Sequence, residues 1–67
     1  MLSFKNVRET DNTHAHVNVY NNSEYIGYIT SPKVNPIMGL WYFTSKTTDF
    51  KNQNAKTKTE LIEKIAL

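Results

Sequence analysis

The chain has no cysteine, so neither a disulfide nor a thiolate metal site can staple its fold. Its only glycines are Gly27 and Gly39, which excludes a glycine-rich phosphate-binding loop. No stretch of 18 apolar residues occurs, which excludes a membrane-spanning helix. Met1 to Thr10 lacks an apolar run of signal-peptide length, so a cytoplasmic location is expected and the glycosylation-type triplet Asn21-Asn22-Ser23 has no consequence. No serine sits in a strained elbow context, and the six carboxylates are scattered along the chain. Nucleophilic and paired acid–base chemistry therefore have no visible carrier. A domain of 67 residues also has little room for a concave pocket that sequesters substrate. The expectation is a protein that is not an enzyme, has no catalytic residue and no cofactor, and works by binding.

What is present fits one domain spanning residues 1–67. The apolar residues able to build a core are few, headed by Leu2, Phe4, Val7, Val17, Val19, Ile26, Ile29, Val34, Leu40, Trp41, Phe43, Leu61, Ile62 and Ile65. A chain this short buries about 60% of the surface its unfolded form exposes, and stability is correspondingly marginal. Pairing with a partner, or with a second copy as a homodimer, would relieve the shortage.

Four segments read as strands. Leu2–Glu9 alternates loosely, with Leu2 and Phe4 on one side and Lys5 and Val7 on the other. Thr10-Asp11-Asn12-Thr13 follows as a turn, because these side chains hydrogen-bond their own backbone. His14–Tyr20 alternates cleanly, with Ala15, Val17 and Val19 facing one way and His14, His16, Asn18 and Tyr20 the other. Asn21-Asn22-Ser23 supplies a hairpin turn into Glu24–Thr30. Ser31 to Gly39, with Pro32 and Pro36, is a longer connection to the aromatic strand Leu40–Ser45. The polar stretch Thr44–Thr59 is then read as a basic loop. Thr57-Lys58-Thr59-Glu60 fits a capping box, and Leu61, Ile62 and Ile65 form a stripe at helical spacing. The fold class expected is α+β: a four-stranded antiparallel meander closed by one C-terminal helix, from about Lys58 to Ala66, packed on one face.

One helix covers only one face of such a sheet. Pairing Val19 with Ile26 across the hairpin sets Val17 opposite Tyr28 and assigns these four residues to the covered side. The other side then shows Tyr20 against Tyr25, Asn18 against Gly27 and His16 against Ile29. Amphipathic rings in that setting suit a binding surface. His14-x-His16 places two imidazoles on one side of a strand, but a metal site needs a third ligand, and only Asp11 and Glu24 are near in sequence. No metal is expected.

Net charge is +2, low for a dedicated DNA binder. No charge lies between Val34 and Ser45, whereas Lys46, Lys51, Lys56, Lys58 and Lys64 follow. From about Tyr25 to Ile65, the order strand, strand, capped helix, with Phe50 ahead of Thr57-Lys58-x-Glu60-Leu61, resembles the AP2-like DNA-binding domain of phage and transposon integrases, a three-stranded sheet plus helix. That resemblance implies a sheet seated in the major groove. Against it, the strands His14–Tyr20, Glu24–Thr30 and Leu40–Ser45 carry no lysine or arginine, which argues against direct base readout. As a compact chain rich in asparagine and lysine, the protein also resembles the small accessory proteins of phages and other mobile elements. That likeness implies inhibition of a host protein or nucleoprotein complex by covering its surface. Two functions follow as expectations. One is a protein-binding, inhibitor-type domain using His16, Asn18, Tyr20 and Tyr25. The other is a nucleic-acid-binding module using Lys33, Lys46, Lys51, Lys56 and Lys58 with the exposed rings.

Overall fold

The computed structural model describes residues 1–34 and 36–66, with only the backbone of Ile37 described. Among these residues the architecture is α+β, a single antiparallel sheet and one C-terminal helix. The strands are β1 (Leu2–Val7), β2 (His16–Asn21), β3 (Glu24–Thr30), β4 (Trp41–Ser45) and β5 (Gln53–Ala55), and the helix α1 is Lys58–Ala66. Sheet order follows chain order, β1-β2-β3-β4-β5. The sheet thus has five strands where the sequence led us to expect four. The extra strand lies inside the polar stretch read as a loop: Gln53, Asn54 and Ala55 pair with Phe43, Tyr42 and Trp41. Only Ala55 of the three is buried, so no alternating apolar signal marks β5. The Asn52 side chain accepts a hydrogen bond from the Ser45 amide at 2.8 Å and ties the loop that returns the chain to the sheet.

Strand ends also shift. β1 stops at Val7 rather than Glu9, β2 begins at His16 rather than His14, and β4 begins at Trp41 rather than Leu40. The Thr10–Thr13 segment is the tight turn expected, closed by Thr10 N–H to Thr13 carbonyl at 2.8 Å and its reverse at 3.3 Å. At the β2–β3 hairpin, Asn22 and Ser23 hold φ of 52° and 73°, the doubly positive pattern whose twist matches flanking strands. The β3–β4 connection carries a turn closed from Val34 to Ser31 and a short 3-10 turn at Ile37–Gly39.

The register corrects the sequence reading. Val19 pairs with Gly27 and not with Ile26, Asn18 with Tyr28 and Val17 with Ile29, while Tyr20 does pair with Tyr25. Between Val19 and Tyr20 the register slips by one, so Ile26 is the extra residue of a β-bulge. The slip changes which side chains share a face. In Tyr25-Ile26-Gly27-Tyr28-Ile29, both isoleucines turn inward, each 1% exposed, and both tyrosines turn outward. Simple alternation had put Tyr28 inside and Ile29 outside.

Gly27 makes the bulge workable. Its φ is +154°, a conformation rarely taken by residues with a side chain, and the Phe43 ring lies directly on it. A Cβ there would collide with the Thr44 carbonyl oxygen and come within 2.8 Å of the ring. The core then assembles from Val19, Ile26, Ile29, Phe43, Ala55, Leu61 and Ile65, with Leu2, Val17, Trp41, Phe50 and Ile62 packed around it. Helix α1 rests on β4 and β5. Its start is capped by the Thr57 hydroxyl, which accepts from the Glu60 amide at 3.1 Å, and Lys64 Nζ donates to the Asn54 carbonyl at 2.9 Å.

The packing and the cap set the cost of three substitutions. Gly27→Ala should cost about 3 kcal/mol or more, because backbone strain and overpacking add. Gly39→Ala, with open space around it, should cost about 1 kcal/mol, and denaturant unfolding of the two variants reads the contrast. Thr57→Ala should cost about 1 kcal/mol through loss of the cap, measured the same way.

Candidate binding face

The face of the sheet away from α1 is assembled by the register. Directly paired residues share a face, so alternation places Ser3, Lys5 and Val7 of β1 beside His16, Asn18 and Tyr20 of β2. Past the bulge they are joined by Tyr25, Tyr28 and Thr30 of β3, then by Tyr42 and Thr44 of β4. None of these positions carries a carboxylate.

The rings on this face interlock. Tyr20 and Tyr25 meet edge-to-face at 5.8 Å between centroids, and His16 meets Tyr28 edge-to-face at 5.6 Å. Such pairs hold each other in place and are worth about 0.5–1.5 kcal/mol beyond their burial. His16 Nδ1 lies 2.8 Å from the His14 carbonyl. A neutral ring bonded this way donates from Nδ1 and leaves Nε2 as an acceptor. Lys46 follows β4 and sets its Nζ 5.6 Å from the Tyr28 centroid, within cation–π range. Its backbone amide bonds the Ile26 carbonyl at 2.8 Å, so the bulge residue anchors the lysine that covers Tyr28. Tyr25 is 40% exposed. Burial of its phenol raises its pKa above the ordinary value, and the neighbouring Tyr28 and Tyr20 add to the rise.

His16, Asn18, Tyr20 and Tyr25, the polar-face residues anticipated from sequence, therefore lie together on one surface, and Lys46 joins them. The remaining lysines do not. Lys58, the first residue of α1, lines a groove of about 320 Å³ with Val17, Ile29, Trp41 and Arg8. Lys51 lines a second groove of about 210 Å³ with Phe50, Lys64 and Ile65. Val17, Ile29, Trp41 and Ile65 belong to the core or pack against it, so both grooves open on the helix side. Lys33 and Lys56 are exposed in the turns after β3 and before α1. Tyr28 and Lys5 were missed as face residues. The signal for Tyr28 was the three-residue spacing of Tyr25-Ile26-Gly27-Tyr28-Ile29 around a glycine, which period-two alternation cannot produce without a bulge. Among the described residues, no group of three or more His, Cys, Asp or Glu side chains is placed to hold a metal ion, and no helix is long and apolar enough to cross a membrane.

No family model, curated protein or solved structure matches this chain. The face is therefore interpreted from its own chemistry.

The raised Tyr25 pKa has a measurable consequence. A phenol whose pKa is higher in the folded state resists ionisation there. Its contribution to stability is intact below the ordinary phenol range near 10 and is lost as pH climbs through the raised value. Tyr25→Phe should remove an upward-shifted phenolate transition from an absorbance titration and flatten the alkaline end of the stability profile.

Proposed function

We propose that this domain is a non-catalytic binding protein that lays the open face of its sheet against a protein surface. The observation that carries the reading is the separation of aromatic and basic groups. The aromatic face is continuous across β2 and β3 and free of carboxylates. The lysines that a polyanion would need are divided, Lys46 against this face and Lys51 and Lys58 against helix-side grooves. Binding along a phosphate backbone draws its affinity from several cations acting on one track, and among the described residues only Lys5 and Lys46 stand with the aromatic face. Lys46 Nζ lies over the Tyr28 ring, and Tyr20 and Tyr25 are set edge-to-face, an arrangement less suited to stacked bases than to protein contact.

Tyrosine-rich, charge-poor surface suits protein contact, because each ring buries a large area at low entropic cost and keeps a hydroxyl for one directed hydrogen bond. Lys5 and Lys46, with no acid among the face residues, favour a partner whose matching surface is neutral to acidic. The activity open to such a domain is occlusion: it covers a functional surface of its partner. The small phage accessory proteins that the chain resembles often act in that way. A nucleoprotein complex is a target of the same kind where the contact is made to its protein component.

Capture from host lysate on immobilised protein, run beside fluorescence anisotropy with labelled single- and double-stranded DNA and RNA, tests the reading. A partner retained by the wild type and by Lys51→Gln/Lys58→Gln, but lost with Tyr25→Ala or Tyr28→Ala in variants of unchanged circular dichroism, is the expected result. Nucleic-acid binding at micromolar concentration that falls steeply with salt, and weakens when Lys46, Lys51, Lys56 and Lys58 become glutamine, would overturn it in favour of the polyanion reading.

A further inference from the structure

β1 is an edge strand, and its outer edge can be assigned residue by residue. The Asn22 amide bonds the Met1 carbonyl at 3.1 Å, which makes Met1 and Asn22 a hydrogen-bonded pair. In an antiparallel ladder such pairs alternate with non-bonded ones. With the register Leu2↔Asn21 to Val7↔His16, Ser3, Lys5 and Val7 spend their backbone groups on β2. Leu2, Phe4 and Asn6 therefore point their N–H and C=O groups away from the sheet. The side chains of these same three residues lie on the helix side, where α1 packs chiefly on β4 and β5; Leu2 packs against the core, while Phe4 and Asn6 stay exposed. Phe4, at the centre, is 40% exposed. Natural edge strands are blunted by proline, a bulge, an inward charge or short length. This one is six residues long, has no proline, pairs with β2 without a register shift, and carries its single charge, Lys5, on the opposite face.

We propose that β1 pairs antiparallel with β1 of a second copy, about a two-fold axis at Phe4. In that register Phe4 meets its counterpart and Leu2 meets Asn6 of the other copy twice over. All three outward-facing residues of each strand then find backbone partners. On the other face Lys5 falls opposite Ser3 of the second copy, and the two lysines are diagonal neighbours about 7–8 Å apart rather than directly opposed. The neighbouring two-fold register, centred on Lys5, would set lysine against lysine. Self-complementarity of hydrogen bonds and ring contact, in the one alignment that keeps the lysines from standing directly opposed, is the reason for choosing a second copy over a foreign strand. Pairing takes place in the plane of the sheet, so both tyrosine faces stay open and lie side by side on one ten-stranded sheet. The association is independent of what those faces bind.

Sedimentation equilibrium from about 10 μM to about 1 mM, a range suited to a small interface, reads the assembly directly. The mass should rise towards twice the monomer value. Phe4→Lys, a change at an exposed side chain, and Asn6→Pro, which removes an outward N–H and spares the β1–β2 ladder, should each weaken association at least tenfold, with circular dichroism unchanged. Register is tested through the absence of native cysteine. Phe4→Cys places two Cα atoms about 5.5 Å apart, within disulfide reach, and should cross-link on oxidation. Asn6→Cys leaves its pair more than about 13 Å apart and should not. A wild type that stays monomeric throughout overturns the proposal and leaves the edge to another protein's strand. Dimers that survive both Phe4→Lys and Asn6→Pro, or Asn6→Cys cross-linking as readily as Phe4→Cys, overturn it equally.

Discussion

The Phe43 ring rests on the bare α-carbon of Gly27, and much of the molecule is arranged by that contact. With no side chain at this point the chain can adopt the positive φ of the bulge, and the bulge turns Ile26 and Ile29 inward together. The same step turns Tyr25 and Tyr28 outward together. Core and candidate face are thus two results of one backbone irregularity, and neither can be altered at β3 without disturbing the other. Removing the Phe43 side chain would cost about 3–5 kcal/mol, a large share of the stability open to a domain of this size.

The helix is the second constraint. Nine residues rising about 1.5 Å each make a short rod that rests on β4 and β5. The sheet is wider than its cover, and that mismatch accounts for the exposure of Phe4 on β1 and for the shallow grooves on the helix side. A small chain without disulfides gains core by adding strands, and each added strand also exposes more polar-face surface.

How much of this was legible beforehand depended on whether a local rule decided the outcome. The helix was read correctly from Lys58 to Ala66, because capping by Thr57 and the Leu61/Ile62/Ile65 stripe act within a few residues of sequence. β3 was read correctly from Glu24 to Thr30, and Tyr20 was correctly set against Tyr25, because the two-residue turn fixes the register next to it. Beyond the bulge the reading failed at Tyr28 and Ile29, since period-two alternation has no term for an inserted residue. β5 was missed because an edge strand of three residues needs only one apolar side chain, Ala55, and hides among polar neighbours. The lysines were grouped by proximity in sequence. The sheet lies between Lys46 and Lys58, so closeness along the chain did not become closeness in space.

The meander order has a consequence for how the molecule is made. Every strand pairs with its sequence neighbour, so each hairpin can close as soon as it has left the ribosome, without waiting for a distant segment. The seal on the core is different. Leu61 and Ile65 join the core that holds Phe43 and Ile29 only after the rest of the sheet has been synthesised. Until then Val19, Ile26 and Ile29 line an unroofed, water-exposed sheet. Closure of the core therefore waits for α1, and a nascent chain stalled before Leu61 would be a natural target for chaperones and proteases.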